Sequence, residues 1–351
     1  MTDHGVAMRI RIRLEMTKIE ENNAEMKRLI AAFPENLIEG LAIANANPLK
    51  KTYPKIENIV ICGMGGSGIG GKLVASWIAD EIDIPIVFCQ DYTLPNFVNE
   101  KTLIIASSYS GNTEEVISNV RMGKHKKASI IGICSGGKLQ AFCSEFDYEC
   151  IIVPGGNPPR TALGFSVIQL THILSELDLI SKEKLNEFTL AKKILISHNE
   201  EIHKEAKALA QFINGKELLI YCESKDQEIA VRARQQFNEN CKVLVNHHVI
   251  PEMNHNELVG WYGGDDRYAV LFLNTTDWHP QNEKRLAFSK EALKLQTNHI
   301  MTLTAKGNTM LVRSLYLISI IDWASLYLAE KNSIDSVYIE VINELKASLL
   351  K

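Results

Sequence analysis

The sequence predicts an α/β protein made of two α/β/α sandwich domains, each built on a parallel sheet. Three observations carry that reading. Apolar runs of strand length recur between amphipathic helical stretches, and they are hydrophobic throughout rather than alternating, as strands covered on both faces must be. The strand–helix rhythm lapses in a polar stretch after residue 176 and then restarts. At 351 residues the chain is long enough for two domains of ordinary size.

The elements follow in order. An amphipathic helical lead-in covers residues 15–47. NIVICG, ending at Gly63, is the first strand, and a glycine-rich loop then opens a helix over Lys72–Asp80. PIVFCQD runs to Asp91, TLIIASSYS starts at Thr102, and GNTEEVISNVRMG reads as a loop opening a helix. SIIGICSGG and CIIVPGG supply two more strands, and a helix spans Ser166–Glu176. Helices between the strands imply right-handed crossovers and a doubly wound sheet. In the second half a helix around Glu200–Ile213 precedes the strand ELLIYC, the helix EIAVRARQQFNENCK and the strand RYAVLFLN. The helix QNEKRLAFSKEALKLQ, the strand HIMTLTA, a long helix over Met310–Glu330 and a short one near Ile339–Leu350 complete the chain. The expected limits are a lead-in over residues 1–35, a first domain over 36–185 and a second over 186–351.

Composition excludes several classes. A hydrophobic fraction of 46% with 23% charged residues is that of a soluble globular protein. No apolar run is read as long enough to span a bilayer, so no membrane partner is expected. The first sixteen residues alternate Arg with Ile and lack a secretory cleavage site, leaving Met8 or Met16 as alternative initiators. Seven cysteines, none spaced CxxC, with Cys62, Cys89, Cys134 and Cys222 in apolar runs, read as buried thiols of a reducing, cytoplasmic compartment. A net charge of −4 gives no basic face for nucleic acid.

CGMGGSGIGGK (Cys62–Lys72) lies between a strand and a helix, where backbone N–H groups and the helix dipole favour an anion. Three templates fit in part. Gly63-x-Gly65-x-x-Gly68 satisfies a dinucleotide fingerprint, with Asp91 placed as a ribose-binding acid. Gly66-x-x-x-x-Gly71-Lys72 follows a P-loop until Leu73 replaces the hydroxyl residue that holds Mg²⁺. The third reading is a plain phosphate site with Ser67 adding a hydroxyl. A second loop, Ser107-Ser108-Tyr109-Ser110-Gly111-Asn112-Thr113, also joins a buried strand to a helix, with Glu114 and Glu115 in the first turn. Alone its hydroxyls would be read as helix caps. Two such loops at the carboxyl ends of strands in one sheet favour convergence on one phosphate.

At these residues the chain becomes familiar. GMGGSG followed by SYSGNTEE resembles the SIS (sugar isomerase) domain. With PGGNPPRTALG (Pro154–Gly164), RQQFNENCK (Arg234–Lys242), IPEMNHNELVGW (Ile250–Trp261) and INELK (Ile342–Lys346), the chain resembles the bifunctional phosphoglucose/phosphomannose isomerases, which have two SIS domains. The resemblance implies interconversion of glucose 6-phosphate and fructose 6-phosphate, with mannose 6-phosphate accepted too, no cofactor, and a homodimer with shared active sites. It places the enzyme in carbohydrate metabolism (glycolysis and gluconeogenesis). It implicates Gly66, Ser67, Ser108, Ser110 and Thr113 in phosphate binding and Arg160 in the active site. Glu239 becomes the isomerising base, His255 the ring-opening acid reaching across from the partner subunit, and Lys346 a further residue lining the site. Family members carry a residue linked to mannose 6-phosphate near Ile334–Glu340.

The chemistry is coherent on its own terms. Moving a carbonyl between C1 and C2 needs one carboxylate poised between the two carbons, working through a cis-enediol. An Arg fixed after two prolines suits a developing enediolate charge. Hexose phosphates are mostly cyclic, and a His is a fitting acid for the ring oxygen. His247, His248 and His255 with Glu252 also invite a zinc reading, which Pro251 and the strand–helix alternation oppose; His247 and His248 are read as loop residues. Two competing functions stand beside the isomerase, a non-catalytic sugar-phosphate-binding SIS protein and an NAD-dependent dehydrogenase.

Overall fold

The structure, a computed structural model, describes residues 3–349, with side chains from Glu15 onward. The reading of the chain's start, and Leu350 of the last helix, lie outside the described residues. The helical lead-in is two helices, α1 (Asp3–Ala31) and α2 (Phe33–Ala46). The break at Ala32 has a plain cause: Pro34 sits in the first turn of α2, where its missing N–H is tolerated only at a helix start.

The chain forms two compact units. The first holds residues 32–197 and 307–313; the second holds residues 3–31, 198–306 and 314–349. In the first unit, β1 (Asn58–Cys62), α3 (Gly65–Trp77), β2 (Ile86–Cys89), β3 (Thr102–Ser107), α4 (Glu114–His125), β4 (Ser129–Cys134), α5 (Gly137–Glu145) and β5 (Glu149–Ile152) alternate. They make a five-stranded sheet in the order β2-β1-β3-β4-β5, parallel throughout. Every residue of β3 is buried, as expected for a central strand with helices on both faces. One face packs Val60, Ile104 and Ile130 against Val116 and Val120 of α4 and Leu139 of α5.

Two helices complete this unit, α6 (Leu163–Glu176) and α7 (Asn186–Ser197). The stretch of α7 looks polar, yet Phe188, Ala191 and Leu195 fall on one stripe and are buried. The first unit therefore runs through Ser197, beyond the expected limit at residue 185.

The second unit contains α8 (Asn199–Ile213), β6 (Glu217–Glu223), α9 (Gln227–Cys241), β7 (Val245–Ile250), α10 (Glu257–Gly260), β8 (Tyr268–Asn274), α11 (Pro280–Lys294) and β9 (Ile300–Thr304). Their sheet runs β7-β6-β8-β9, again parallel. Strand β7 carries His247 and His248, which correct the loop reading. It sits at the sheet edge, so its polar centre VNHHVI needs no cover on both faces and leaves no continuous apolar signal. The N-terminal helix is not a separate lead-in: Asn22 Nδ2 donates to Asp335 Oδ2 at 2.6 Å and Asn23 Nδ2 to the Ile334 carbonyl at 2.9 Å, all within the second unit.

The chain ends in α12 (Met310–Lys331) and α13 (Glu340–Leu349). Against the expectation, α12 is long and apolar enough to cross a bilayer, but 89% of its apolar window is buried inside the protein. It is also pinned by charge. The guanidinium of Arg232 on α9, 1% exposed, donates to both oxygens of Asp322 at 3.1 and 3.0 Å. Next to this pair, Asn240 Nδ2 donates to Ser325 Oγ at 2.9 Å, whose hydroxyl donates to the Asp322 carbonyl at 2.7 Å. Removing the carboxylate strands a buried cation, so Asp322→Ala should destabilise folding by about 3–5 kcal/mol in urea titration, whereas exposed Asp80→Ala should stay within about 0.5 kcal/mol.

Candidate active site

The strand order β2-β1-β3 places the topological switch point of the first sheet between β1 and β3, and the loops leaving these strands are the two singled out by sequence. The glycine loop is shorter than expected, because α3 begins at Gly65 rather than near Lys72. Met64 is extended and no side chain caps the helix, so the first N–H groups of α3 are available to an anion. The glycines are demanded by close approach. A Cβ on Gly68 would lie 2.5 Å from the Gly63 carbonyl oxygen. One on Gly66 would press at 3.2 Å on the backbone of Pro159 and Arg160. Gly66 thereby seats the Pro159–Thr161 turn, whose Arg160 is 2% exposed.

The two loops are tied together. Tyr109 N donates to Ser67 Oγ at 2.9 Å. Ser108 is fully buried with its Oγ 2.8 Å from Thr113 Oγ1. Thr113 occupies the N-cap position of α4, yet its hydroxyl makes no capping bond, so the capping reading of this cluster does not describe it. Ser110 is exposed and its Oγ accepts from Asn112 N at 3.2 Å. The loop leaving β4 braces this array from below: Ser135 N and Oγ donate to the Tyr109 carbonyl at 2.8 and 2.7 Å, and Leu139 N to the Gly111 carbonyl at 2.9 Å. Gly111 has φ +67°, and a Cβ there would fall 1.8 Å from the Gly136 carbonyl oxygen. Gly66, Ser67, Ser107, Tyr109, Pro159 and Ser166 line a cavity of about 10 Å³ beneath, room for about one water. Gly66, Ser67, Ser108, Thr113, Ser110 and Arg160 are thus held on one framework of the first unit.

The dinucleotide template fares differently. The sheet order is flavodoxin-like rather than 3-2-1-4-5-6. The Asp91 carboxylate accepts from its neighbour Tyr92 N at 2.6 Å, and its carbonyl accepts from Asn119 Nδ2 at 3.0 Å.

In the second unit, Glu239 lies half-buried in the last turn of α9. Its carbonyl accepts from Lys242 Nζ at 2.7 Å, and the same ammonium donates to the Asp335 carbonyl at 2.6 Å. The segment 334–340 is thereby fastened to the end of the helix that carries Glu239. His255 is exposed at the end of the Glu252–His255 turn, and Lys346 is exposed on α13. These three residues stand on separate elements. Among the described residues, no three His, Cys, Asp or Glu side chains are grouped as a metal would require.

Glu257 escaped the sequence reading. Its carboxylate accepts from the buried Tyr221 OH and lies 3.2 Å from His248 Nδ1, while Trp261 Nε1 donates to Tyr221 OH at 2.9 Å. Burial, reinforced by Glu257, holds the Tyr221 hydroxyl far above its ordinary pKa and so keeps it a donor. This network fixes the start of α10, two residues after His255. The signal was the NHNELVGW segment itself, where Glu257 and Trp261 are four apart.

At the switch point of the second sheet, between β6 and β8, the chemistry is opposite. Glu223 Oε1 accepts from His279 N and Asn282 Nδ2 at 2.9 and 2.7 Å, and Thr275 Oγ1 donates to Asp226 Oδ2 at 2.7 Å. Buried carboxyl groups thus stand where the first sheet carries hydroxyl-rich loops.

Comparison with known proteins matches both halves of the chain to SIS-type domains. Residues 202–349 match the bacterial phospho-glucose isomerase C-terminal SIS domain, and residues 53–176 match the SIS domain. The chain is 35% identical over 329 residues to a bifunctional phosphoglucose/phosphomannose isomerase of Caldicellulosiruptor bescii, covering 90% of this chain and 96% of that protein. A protein of the same name from Aquifex aeolicus is 34% identical over 306 residues, covering 86% and 93%. The C-terminal domain of glucosamine-fructose-6-phosphate aminotransferase from Francisella tularensis shares the fold, with a TM-score of 0.69 at 14% identity over 87% of this chain and 95% of that one.

Burial pushes the Asp226 carboxyl up to about 7, with Asp277 and Glu223 adding to it against Thr275 and Lys225. The folded protein keeps this proton where the unfolded chain, near 3.8, has released it. Unfolding therefore loses a proton in that window, and this group's contribution to stability falls as pH rises from about 4 to about 7. Asp226→Asn should flatten that part of the pH–stability curve, read as the Tm difference between pH 5 and pH 7.5 for variant against wild type.

Proposed function

Because the chain belongs to the bifunctional phosphoglucose/phosphomannose isomerase family, we propose that it interconverts glucose 6-phosphate and fructose 6-phosphate, and mannose 6-phosphate with them. The observation that carries this reading is the pair of hydroxyl-rich loops locked across the switch point by the Tyr109–Ser67 bond, with the Arg160 turn seated on Gly66. No Lys or Arg lies within Ser107–Thr113, so the phosphate is held by hydroxyls and helix N–H groups. A dianion bound this way leaves the sugar end free to face the reacting groups.

The steps follow from the residue types. His255 protonates the ring oxygen and opens the cyclic sugar. Glu239 takes the C2 proton of the open aldose and returns it to C1, and Arg160 steadies the charge that grows on the enediolate oxygen. Glucose and mannose 6-phosphate differ only at C2, so loss of that proton gives both one enediol, and a single base serves both. The exposure of His255 in its own chain supports a homodimer in which it serves the partner's site. The reaction takes place in the cytoplasm and needs no cofactor.

Three tests bear on this reading. Ser67→Ala and Ser110→Ala should each weaken binding of fructose 6-phosphate by about 1–3 kcal/mol, a lost hydrogen bond to a charged group, seen as raised KM. Unchanged KM and kcat in both would move the phosphate elsewhere. Glu239→Gln should abolish both turnover and deuterium incorporation at C2 of glucose 6-phosphate in D₂O, since an amide cannot accept the proton. Substantial exchange by that variant would remove Glu239 from the role of base. Mixing Glu239→Gln with His255→Ala protein should restore part of the activity as subunits exchange, because one site of each mixed dimer keeps both residues.

A further inference from the structure

The first unit has a second concave surface, away from the hydroxyl loops. Between α4 and α5 lies an open cleft of about 560 Å³, within the size range of small-molecule sites. Its charged lining is Arg121, Lys124 and His125 from α4 and Lys138 and Glu145 from α5, with Phe146 as an apolar wall. Three permanent cations and a histidine thus face one carboxylate. Among the described residues, the side chains of Arg121, His125 and Lys138 make no hydrogen bond or ion pair, and Lys124 Nζ lies over the Phe146 ring at 3.2 Å. The position of these charges is informative. Lys124 and His125 close the last turn of α4, where a cation favours the helix dipole. Lys138 is in the first turn of α5, where the same dipole disfavours one. Helix stability therefore does not account for Lys138, and Arg121 lies outside the last turn of α4.

We propose that this cleft is a binding site for a polyphosphate chain, supplied by a nucleoside triphosphate or as inorganic polyphosphate. Arg121, Lys124 and Lys138 outweigh Glu145, so the lining favours an anion, and a cleft of about 560 Å³ with cations on both walls has room for a phosphate chain rather than a single phosphate group. The site is coupled to the hydroxyl loops through α5. Lys138 N donates to Asn112 Oδ1 at 3.2 Å and Leu139 N to the Gly111 carbonyl. A ligand joining Arg121 to Lys138 clamps α4, which starts at the Ser110–Thr113 loop, to α5, whose first turn is bonded to that loop, and so tightens the phosphate site.

The test uses the full-length protein, calorimetric titration with ATP or with inorganic triphosphate, both without Mg²⁺, and saturating glucose 6-phosphate. Saturable binding of either probe with a Kd below about 1 mM that falls away in high salt is expected. Equal binding of both probes assigns the site to the phosphate chain alone, and tighter binding of ATP assigns it to nucleotides. The double variant Arg121→Ala/Lys138→Ala should raise Kd at least about tenfold, a loss of roughly 1.4 kcal/mol, while its turnover without polyphosphate stays that of wild type. The reading is overturned if neither probe saturates, if glucose 6-phosphate displaces the probe, or if the double variant binds as wild type does. Binding is the readout, so failure of the proposed isomerase chemistry would not be mistaken for failure of this site.

Discussion

The first unit depends on backbone meeting backbone without side chains between them. At the carboxyl edge of its sheet, the Gly68 Cα packs onto the Gly63 carbonyl, Gly66 onto the Pro159–Arg160 peptide, and Gly111 onto the Gly136 carbonyl. The last two bring separate loops together, and a methyl group on Gly68 or Gly111 would collide with the facing carbonyl, while one on Gly66 would crowd its neighbour. The hydroxyls follow from that packing. Ser67 meets Tyr109 N because the two loops already touch, and Ser108 meets Thr113 because the loop turns back at Gly111. Short donors on a rigid edge suit a tetrahedral dianion better than long cationic side chains, whose ordering costs rotamer entropy.

The two sheets share a parallel architecture and diverge at their carboxyl edges. The first carries Ser67, Ser108 and Thr113 around its switch point; the second carries Glu223 and Asp226. One edge offers neutral hydroxyl and N–H groups and the other buried carboxyl groups. In the second unit the candidate residues Glu239 and His255 stand elsewhere, on the end of α9 and on the turn before α10. Those places are held by polar networks rather than by glycine packing. Arg232–Asp322 and Asn240–Ser325 fix α9 against α12, and Tyr221–Glu257–His248 fixes the start of α10.

Much of this was legible in the sequence, for identifiable reasons. Strands β1, β3, β4, β6 and β8 are buried on both faces and announce themselves as continuous apolar runs. Both hydroxyl loops are visible because glycine and serine cluster between a strand and a helix. What stayed hidden depends on tertiary context. The edge strand β7 has a polar centre, α7 buries only a thin stripe, and α1 joins the second unit through contacts far away in sequence, Asn22 and Asn23 with residues 334 and 335. Glu257 was passed over because its partners are a tyrosine in one strand and a histidine in another, and the sequence does not bring those together.

The segment 334–340 illustrates how such distant contacts build the second unit. The family resemblance puts a residue linked to mannose 6-phosphate near it. In the fold it is anchored at three points. Asn23 Oδ1 accepts from Ser336 N, the Asp335 carboxylate accepts from Val337 N and Tyr338 N, and Lys242 joins its backbone to that of Glu239. Lys242 is held in the left-handed conformation (φ 55°, ψ 35°) as the helix ends, which directs its ammonium back to the Glu239 carbonyl and onward to Asp335. The start of the segment is therefore tied to a helix terminus, a rigid feature, through a contact 93 residues away in sequence.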